Sequence, residues 1–343
     1  KSWILGRGWD QTLWKEKSFP QKNILDKATK KQPVALRRVD GHALWVNSKA
    51  MEISGVDSST SSPSGGRIIK DENGDPTGVF IDKAMDLILD NIPSPDDFVI
   101  KRQLKNAINH LNSLGLTSIH DPGTNPETIS ALKDKSLRST LKIYAMLNYK
   151  EDELAPFLEK GPFKKNGFLT IRSIKIYLDG ALGSRGAAMI KPYHDDPKNY
   201  GLILEDIEKL KLDIERFNKL GFQTAIHCIG DRANQIALDI YNKIGNKKHR
   251  NRIEHAQIIQ KNDIPRFSDL GVIPCMQPIH CTSDMGWIKD RLGKERISQA
   301  YPWNSLINSG SIIAGGSDAP IESANPLKGI YAAITRKNEN KKC

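Results

Sequence analysis

Two histidines, His227 and His255, stand at the ends of two successive predicted strands and could bind one metal ion together. A short apolar run suited to a buried parallel strand leads to His227, and an amphipathic helix that opens at Asp231 separates it from the strand ending in His255. Strands joined in this way place their carboxyl ends side by side at one rim of a parallel barrel, where barrel enzymes hold their chemistry. Neutral imidazoles at such a rim suit a divalent cation such as zinc. Each histidine could instead satisfy a local hydrogen bond, but the neighbouring acids Asp231 and Glu254 could orient the two rings for metal binding.

Two other predicted strands carry ionisable groups that could complete such a site. Lys175 lies within an otherwise apolar strand, where a lysine is costly unless it is paired or modified. It is either an edge-strand lysine whose ammonium reaches solvent or a carboxylated lysine that bridges two metals. Asp318 follows the apolar strand at 311–316. Cys228 adjoins His227, but its side chain should point away from the rim because strand residues alternate between faces.

The order of predicted elements is that of an α/β barrel. Predicted strands cover 116–121, 141–147, 170–178, 222–227, 252–255, 272–277 and 311–316, and crossovers that contain helices join most of them. This count is one short of the closed (β/α)8 barrel of the TIM type. We therefore expect a TIM-like barrel that lacks its first strand, and we place that strand before Lys1.

The first 90 residues depart from this alternation. A short strand at 34–37 is predicted to lead into a helix from about Ala43. Residues 65–82 are predicted to form a β-hairpin with Asn73 and Gly74 at its turn. We interpret about 32–90 as an insertion in a barrel domain that covers 1–335, and 336–343 as a polar tail.

Seven sequence blocks are similar to those of a known family. They are RRVDGHALWVNSKA, GGRIIKDENGDPTGVF, LTSIHDPG, IKIYLDGALGSRGA, FQTAIHCIGDRAN, RIEHAQII and GGSDAP, in that order. Together they resemble the amidohydrolase superfamily, and within it the branch called amidohydrolase family 3, which includes N-substituted formamide deformylase. The resemblance extends from about Gly6 to Pro326.

The resemblance implies a role for several residues. It implies that Lys175, His227, His255 and Asp318 are metal ligands, that Asp318 is also the catalytic proton acceptor, and that the metal is zinc, as one or two ions in the full-length parent. The blocks that line the substrate side of the family supply possible substrate-binding residues, which are His42, Arg185, Gln277 and His280.

The chain also departs from the family pattern. The His-x-His pair that the family carries on its first strand does not occur in these residues, and neither do the segments that build the family's flanking β-sandwich. We therefore expect an incomplete barrel core whose natural start lies before Lys1. The compartment is left open, with the cytoplasm as the default.

Composition narrows the range of partners. The net charge is +11, but the lysines are scattered and aromatic residues make up only 7%, so we expect no nucleic-acid partner. We also expect no membrane partner, because no apolar run approaches the roughly 20 residues of a membrane span. The four cysteines show no CxxC spacing, so buried thiols are favoured over a disulfide framework. A homo-oligomer is compatible with the sequence.

These features favour a metal-dependent hydrolase that cleaves a non-peptide carbon–nitrogen bond in a small amide-like or formamide-like substrate with metal-activated water. Three alternatives stay open at this level. They are an inactive or partial fragment of such an enzyme, an amidohydrolase acting on a cyclic amide or ester, and a barrel that binds phosphate or nucleic acid.

The absent His-x-His pair leads to a first prediction. We expect this polypeptide to bind metal weakly and at one site, because the deeper site of a two-metal centre would lack two of its ligands. Zinc and cobalt content should therefore be lower in this chain than in a version extended upstream. Equal content of two metals in both versions would contradict this expectation.

Overall fold

The computed structural model describes residues 2–134, 140–165, 167–245 and 247–338. The strands are β1 (Ile4–Trp9), β2 (Val34–Arg38), β3 (Ala43–Val46), β4 (Gly66–Lys70), β5 (Pro76–Asp82), β6 (Ser118–Thr124), β7 (Lys142–Asn148), β8 (Phe163–Lys165), β9 (Leu169–Tyr177), β10 (Gln223–Cys228), β11 (Arg252–His255), β12 (Ile273–Met276) and β13 (Ala314–Gly315). The α-helices are α1 (Lys22–Ala28), α2 (Ser48–Ile53), α3 (Asp86–Leu89), α4 (Asp97–Ser113), α5 (Pro126–Lys133), α6 (Glu151–Lys160), α7 (Ile207–Lys219), α8 (Asp231–Ile244), α9 (Ile264–Leu270), α10 (Pro278–Asp284), α11 (Ile288–Leu292), α12 (Trp303–Asn308) and α13 (Pro326–Thr335).

The chain forms two compact units. The first comprises Lys1–Ser94, Asp179–Leu204 and Gly286–Ile297, and the second comprises Pro95–Leu178, Glu205–Met285 and Ser298–Cys343. The extent of the barrel domain expected from sequence, 1–335 with an insertion at about 32–90, stays a prediction.

The first unit contains a five-stranded sheet in the order β1-β2-β3-β5-β4. β4 and β5 pair antiparallel through a turn in which Gly74 N–H donates to the Asp71 carbonyl. This pair is joined to three further strands, so the hairpin belongs to a larger sheet. That it is an insertion in a barrel stays a prediction.

The helix predicted from about Ala43 begins later than expected. Ala43–Val46 is strand β3, which pairs with β2 on one side and β5 on the other. Its side chains are all buried, as expected for a central strand. Helix α2 begins only at Ser48, where Asn47 Oδ1 accepts a hydrogen bond from the Ala50 N–H.

The second unit contains a curled, parallel, seven-stranded sheet with the topology of a half-barrel. The strand order is β6-β7-β9-β10-β11-β12-β13, and the short strand β8 pairs antiparallel with β9. The predicted α/β class and the succession of parallel strands are confirmed. That the sheet is a barrel lacking its first strand and a flanking β-sandwich stays a prediction.

Helix α8 shows how the helices cover the sheet. Its buried apolar residues recur at helical spacing and are Ala233, Ala237, Leu238, Ile240 and Tyr241. The helix ends at Gly245, which has a φ of 67° and adopts the left-handed conformation that suits glycine. β10 follows α7 and precedes α8, and all six of its residues are buried, including the polar residues Gln223, Thr224 and His227.

Within the described residues, no helix is both long and apolar enough to cross a membrane.

The burial of α8 yields a stability prediction. Leu238 is fully buried, so Leu238→Ala should lower the free energy of unfolding by about 2–5 kcal/mol through lost apolar contacts and the cavity left behind. Leu212 on α7 is 64% exposed, so Leu212→Ala should change stability by less than about 0.5 kcal/mol. Urea denaturation followed by circular dichroism compares the two variants, and equal losses would contradict the assignment of Leu238 to the core.

Candidate metal centre

His227 and His255 lie close together despite an unfavourable strand register. On the paired strands β10 and β11, His227 is opposite Glu254 and His255 is opposite Cys228. Registered neighbours on parallel strands share a face, so strand alternation alone would direct the two histidines to opposite faces. The centroids of their rings are nevertheless 4.4 Å apart.

The backbone at the end of β11 accounts for this proximity. His255 has a φ of 72° and Ala256 a φ of 44°, so both residues leave the extended conformation of the strand. Left-handed backbone is uncommon outside glycine and costs about 1–3 kcal/mol at each residue. This turn breaks the alternation and lets the imidazole of His255 approach that of His227.

A compact set of possible ligands surrounds His255. Among the described residues, the ligand atoms of His255, His280 and Asp318 all lie within 4.8 Å of one another. The rings of His255 and His280 are stacked with centroids 5.8 Å apart. His280 Nε2 lies 4.0 Å from Asp318 Oδ2. His280, which the sequence suggested as a substrate contact, is thus grouped with two of the predicted ligands.

This donor set fits a divalent cation chemically. Two imidazoles and one carboxylate are ligands that zinc accepts at about 2.0–2.2 Å, which places tetrahedral ligand atoms ~3.4 Å apart. The three donor atoms lie within 4.8 Å of one another, so a small contraction would bring them into a coordination shell. Like His255, Asp318 has left-handed backbone, with a φ of 55°, three residues after the end of β13.

Lys175 lies in the interior of the sheet. Strand β9 is flanked by β7 and β10, so the alternative of an edge-strand lysine is wrong. The side chain is only 3% exposed, and its Nζ lies 3.6 Å from the centroid of the Tyr177 ring. A cation over an aromatic face is attracted by the ring quadrupole. Whether Lys175 binds metal stays a prediction.

Tyr177 is a neighbour of the site that sequence reasoning missed. Its ring centroid lies 5.5 Å from that of His227, and it also contacts Lys175. The available signal was its spacing, because residues two apart on a strand share a face.

The other predicted substrate contacts have defined local partners. In the first unit, His42 Nδ1 lies 2.7 Å from Asp82 Oδ1, and Arg185 Nη2 lies 3.0 Å from Asp195 Oδ2. In the second unit, Gln277 Nε2 donates to the Cys275 carbonyl at 3.0 Å. Their roles in substrate binding stay predictions.

Glu254 does not orient a histidine as expected. Its carboxylate is held by Arg252 in a bidentate ion pair, with Nε 2.7 Å from Oε1 and Nη2 3.0 Å from Oε2.

Arg252 Nη1 also contacts His120 Nδ1, and the His120 ring lies 4.7 Å from that of Tyr144. Desolvation, and then the Arg252 charge, lower the pKa of His120 to about 4. His120 is therefore neutral at pH 7 and can accept a hydrogen bond from the guanidinium.

The chain is similar in sequence to a characterised family. Residues 1–342 match the family described as the amidohydrolase family. The Bacillus subtilis protein YtcJ is 35% identical over 98% of this chain. The N-substituted formamide deformylase of Arthrobacter pascens is 24% identical over 97% of it.

The fold is also that of a solved relative. A crystal structure of an uncharacterized metal-dependent hydrolase from Pyrococcus horikoshii covers 99% of the chain with a TM-score of 0.78 and 30% identity. The chain itself spans 65% of YtcJ and 67% of that hydrolase.

The environment of His120 predicts a pH effect. A folded-state pKa of about 4 lies below the unfolded value near 6.5, so the unfolded chain binds the proton more tightly. His120 should therefore reduce stability as the pH falls from about 6.5 to about 4. An NMR titration of the His120 imidazole should show a midpoint near 4. His120→Asn removes this titrating group. The stability of the variant relative to the unmodified chain, measured as the difference in the urea midpoints of unfolding, should therefore be greater at pH 5 than at pH 7. A midpoint near 6.5 would rule out the described environment.

Proposed function

The chain belongs to the amidohydrolase family, and we propose that it is a metal-dependent hydrolase that cleaves a non-peptide carbon–nitrogen bond in a small amide-like or formamide-like molecule. The observation that carries this proposal is the grouping of His255, His280 and Asp318 in the second unit. Similarity to a solved metal-dependent hydrolase and to a formamide deformylase supports the reaction class. Because the chain spans less than two thirds of YtcJ, the activity is proposed for the whole protein of which these residues are part.

We assign the metal to the cluster formed by His255, His280 and Asp318. His255 and Asp318 are the proposed central ligands, and His227 and Lys175 are the proposed ligands on the neighbouring strands. A bound divalent cation, which we propose to be zinc, would supply Lewis-acid activation of water and of the substrate carbonyl.

The chain's own groups would handle the protons. Asp318 would accept a proton from the attacking water and return it to the leaving nitrogen, a role that suits a carboxylate at hydrogen-bonding distance. His280, 4.0 Å from Asp318, would either complete the ligand set or donate a hydrogen bond to the oxygen on which negative charge develops. These two roles have different experimental signatures.

Substitutions in the cluster test the proposal. Asp318→Asn should lower kcat by about 10²–10⁴-fold because the amide cannot accept the proton. His255→Ala should lower zinc content. His280→Ala should lower zinc content if His280 is a ligand, and should lower kcat with full zinc content if it contacts substrate. Mass spectrometry measures the zinc content, and hydrolysis of N-substituted formamides measures kcat. Both measurements are made in this chain and in an upstream-extended version.

A matched histidine provides the control. His110 is exposed on α4, so His110→Ala should leave zinc content and turnover unchanged. Loss of zinc in His110→Ala equal to that in His255→Ala would argue against a specific site, and full activity in Asp318→Asn would argue against the proposed proton acceptor.

A further inference from the structure

Asn234 connects the two segments that follow the histidine-bearing strands. It lies in the first turn of α8 and is fully buried. Its Nδ2 lies 3.2 Å from the Cys228 carbonyl oxygen, 2.9 Å from that of Gly230 and 3.2 Å from that of Ile258. The first two carbonyls follow His227, and the third follows His255 by three residues. One side chain thus holds both segments.

Other hydrogen bonds reinforce this connection. The Ile258 N–H donates to the Ile229 carbonyl at 2.9 Å. Gln260 Nε2 also donates to Asp231 Oδ2, which lies at the start of α8. The segments after β10 and β11 are therefore joined by backbone as well as side-chain contacts.

The connection lies directly beside strained backbone. Only Ala256 and Gln257 separate His255 from Ile258, and His255 and Ala256 both have positive φ. Such conformations persist only where the surrounding contacts hold them in place. The hydrogen bond from Asn234 to the Ile258 carbonyl anchors the end of this strained turn.

The chemistry of Asn234 suits the role of a donor. Within the described part of the chain, its buried Oδ1 makes no hydrogen bond. A buried acceptor left unsatisfied lowers the stability of the fold by about 1–3 kcal/mol. The side chain therefore acts through its amide N–H groups. An aspartate of the same shape would place negative charge against three carbonyl oxygens.

We infer that Asn234 is a positioning residue for the metal centre, which sets the approach of the His255 imidazole to that of His227. The inference rests on the proposed function, since it assumes that these imidazoles bind metal. Outer groups that orient ligands typically change metal affinity by about 10–100-fold when they are removed.

Asn251 is a matched control at the opposite ends of the same two strands. It precedes β11 and is buried. Its Oδ1 accepts from the Thr224 N–H at 3.0 Å, and its Nδ2 donates to Asn218 Oδ1 at 3.0 Å. Asn251→Ala should therefore remove a comparable set of hydrogen bonds without disturbing the carboxyl ends of the strands.

The test compares Zn²⁺ affinity and the Co²⁺ absorption spectrum in the full chain. Asn234→Ala should weaken Zn²⁺ binding, measured by chelator competition, by about 10–100-fold and should alter the Co²⁺ bands. Asn234→Ser keeps one donor and should show a smaller loss, and it provides the measurement if the alanine variant does not fold. Asn251→Ala should keep Zn²⁺ affinity within about twofold of the unmodified chain and leave the Co²⁺ spectrum unchanged, although its stability falls.

The outcomes separate the inference from the function on which it rests. Unchanged Zn²⁺ affinity and Co²⁺ spectrum in Asn234→Ala or Asn234→Ser, or equal weakening in Asn234→Ala and Asn251→Ala, would overturn the positioning role alone. Absence of Zn²⁺ binding both in this chain and in the upstream-extended version, each without substitutions, would overturn the proposed function and the inference together.

Discussion

The candidate centre depends on the backbone conformation of His255, which places its imidazole where strand alternation would not. The register of β10 and β11 places Glu254, not His255, beside His227. Left-handed backbone at His255 interrupts the alternation of side chains and brings its imidazole next to that of His227. The metal-binding potential of the second unit therefore depends on a backbone conformation that local sequence preference disfavours. Contacts from the adjoining segments, including those of Asn234, offset that preference.

Charged and polar side chains occupy the sheet close to this centre. Arg252 and Glu254 satisfy each other through a bidentate ion pair, which removes Glu254 from the set of groups available to the histidines. Burial, and then the positive charge of the same guanidinium, lower the pKa of His120 and keep it neutral at pH 7. Lys175 is held over the Tyr177 ring in the same sheet. The ionisable groups of β6, β9 and β11 therefore divide into an ion-paired group and a group next to His227 and His255.

Family membership and geometry support the same class of chemistry by different means. Similarity over residues 1–342 establishes the amidohydrolase family, whereas the grouping of His255, His280 and Asp318 is a property of the folded chain. His255 is the last residue of β11, whereas His280 and Asp318 follow β12 and β13. The three residues come together because successive parallel strands end at the same edge. The first unit, with its mixed five-stranded sheet, contains two of the residues proposed to contact substrate, His42 and Arg185.

The sequence by itself determined the α/β class, the succession of parallel strands in the second unit and the presence of His227 and His255 at strand ends, because hydrophobic periodicity and chain order are local properties. It did not show that Ala43–Val46 is a strand, since pairing with β2 and β5 overrides the local pattern there. Only the tertiary structure placed His280 with His255 and Asp318, and paired Glu254 with Arg252. These contacts depend on the directions of side chains at the strand ends. At the end of β11, the left-handed residues His255 and Ala256 change the face of the sheet that a side chain occupies. No spacing rule in the sequence encodes that change.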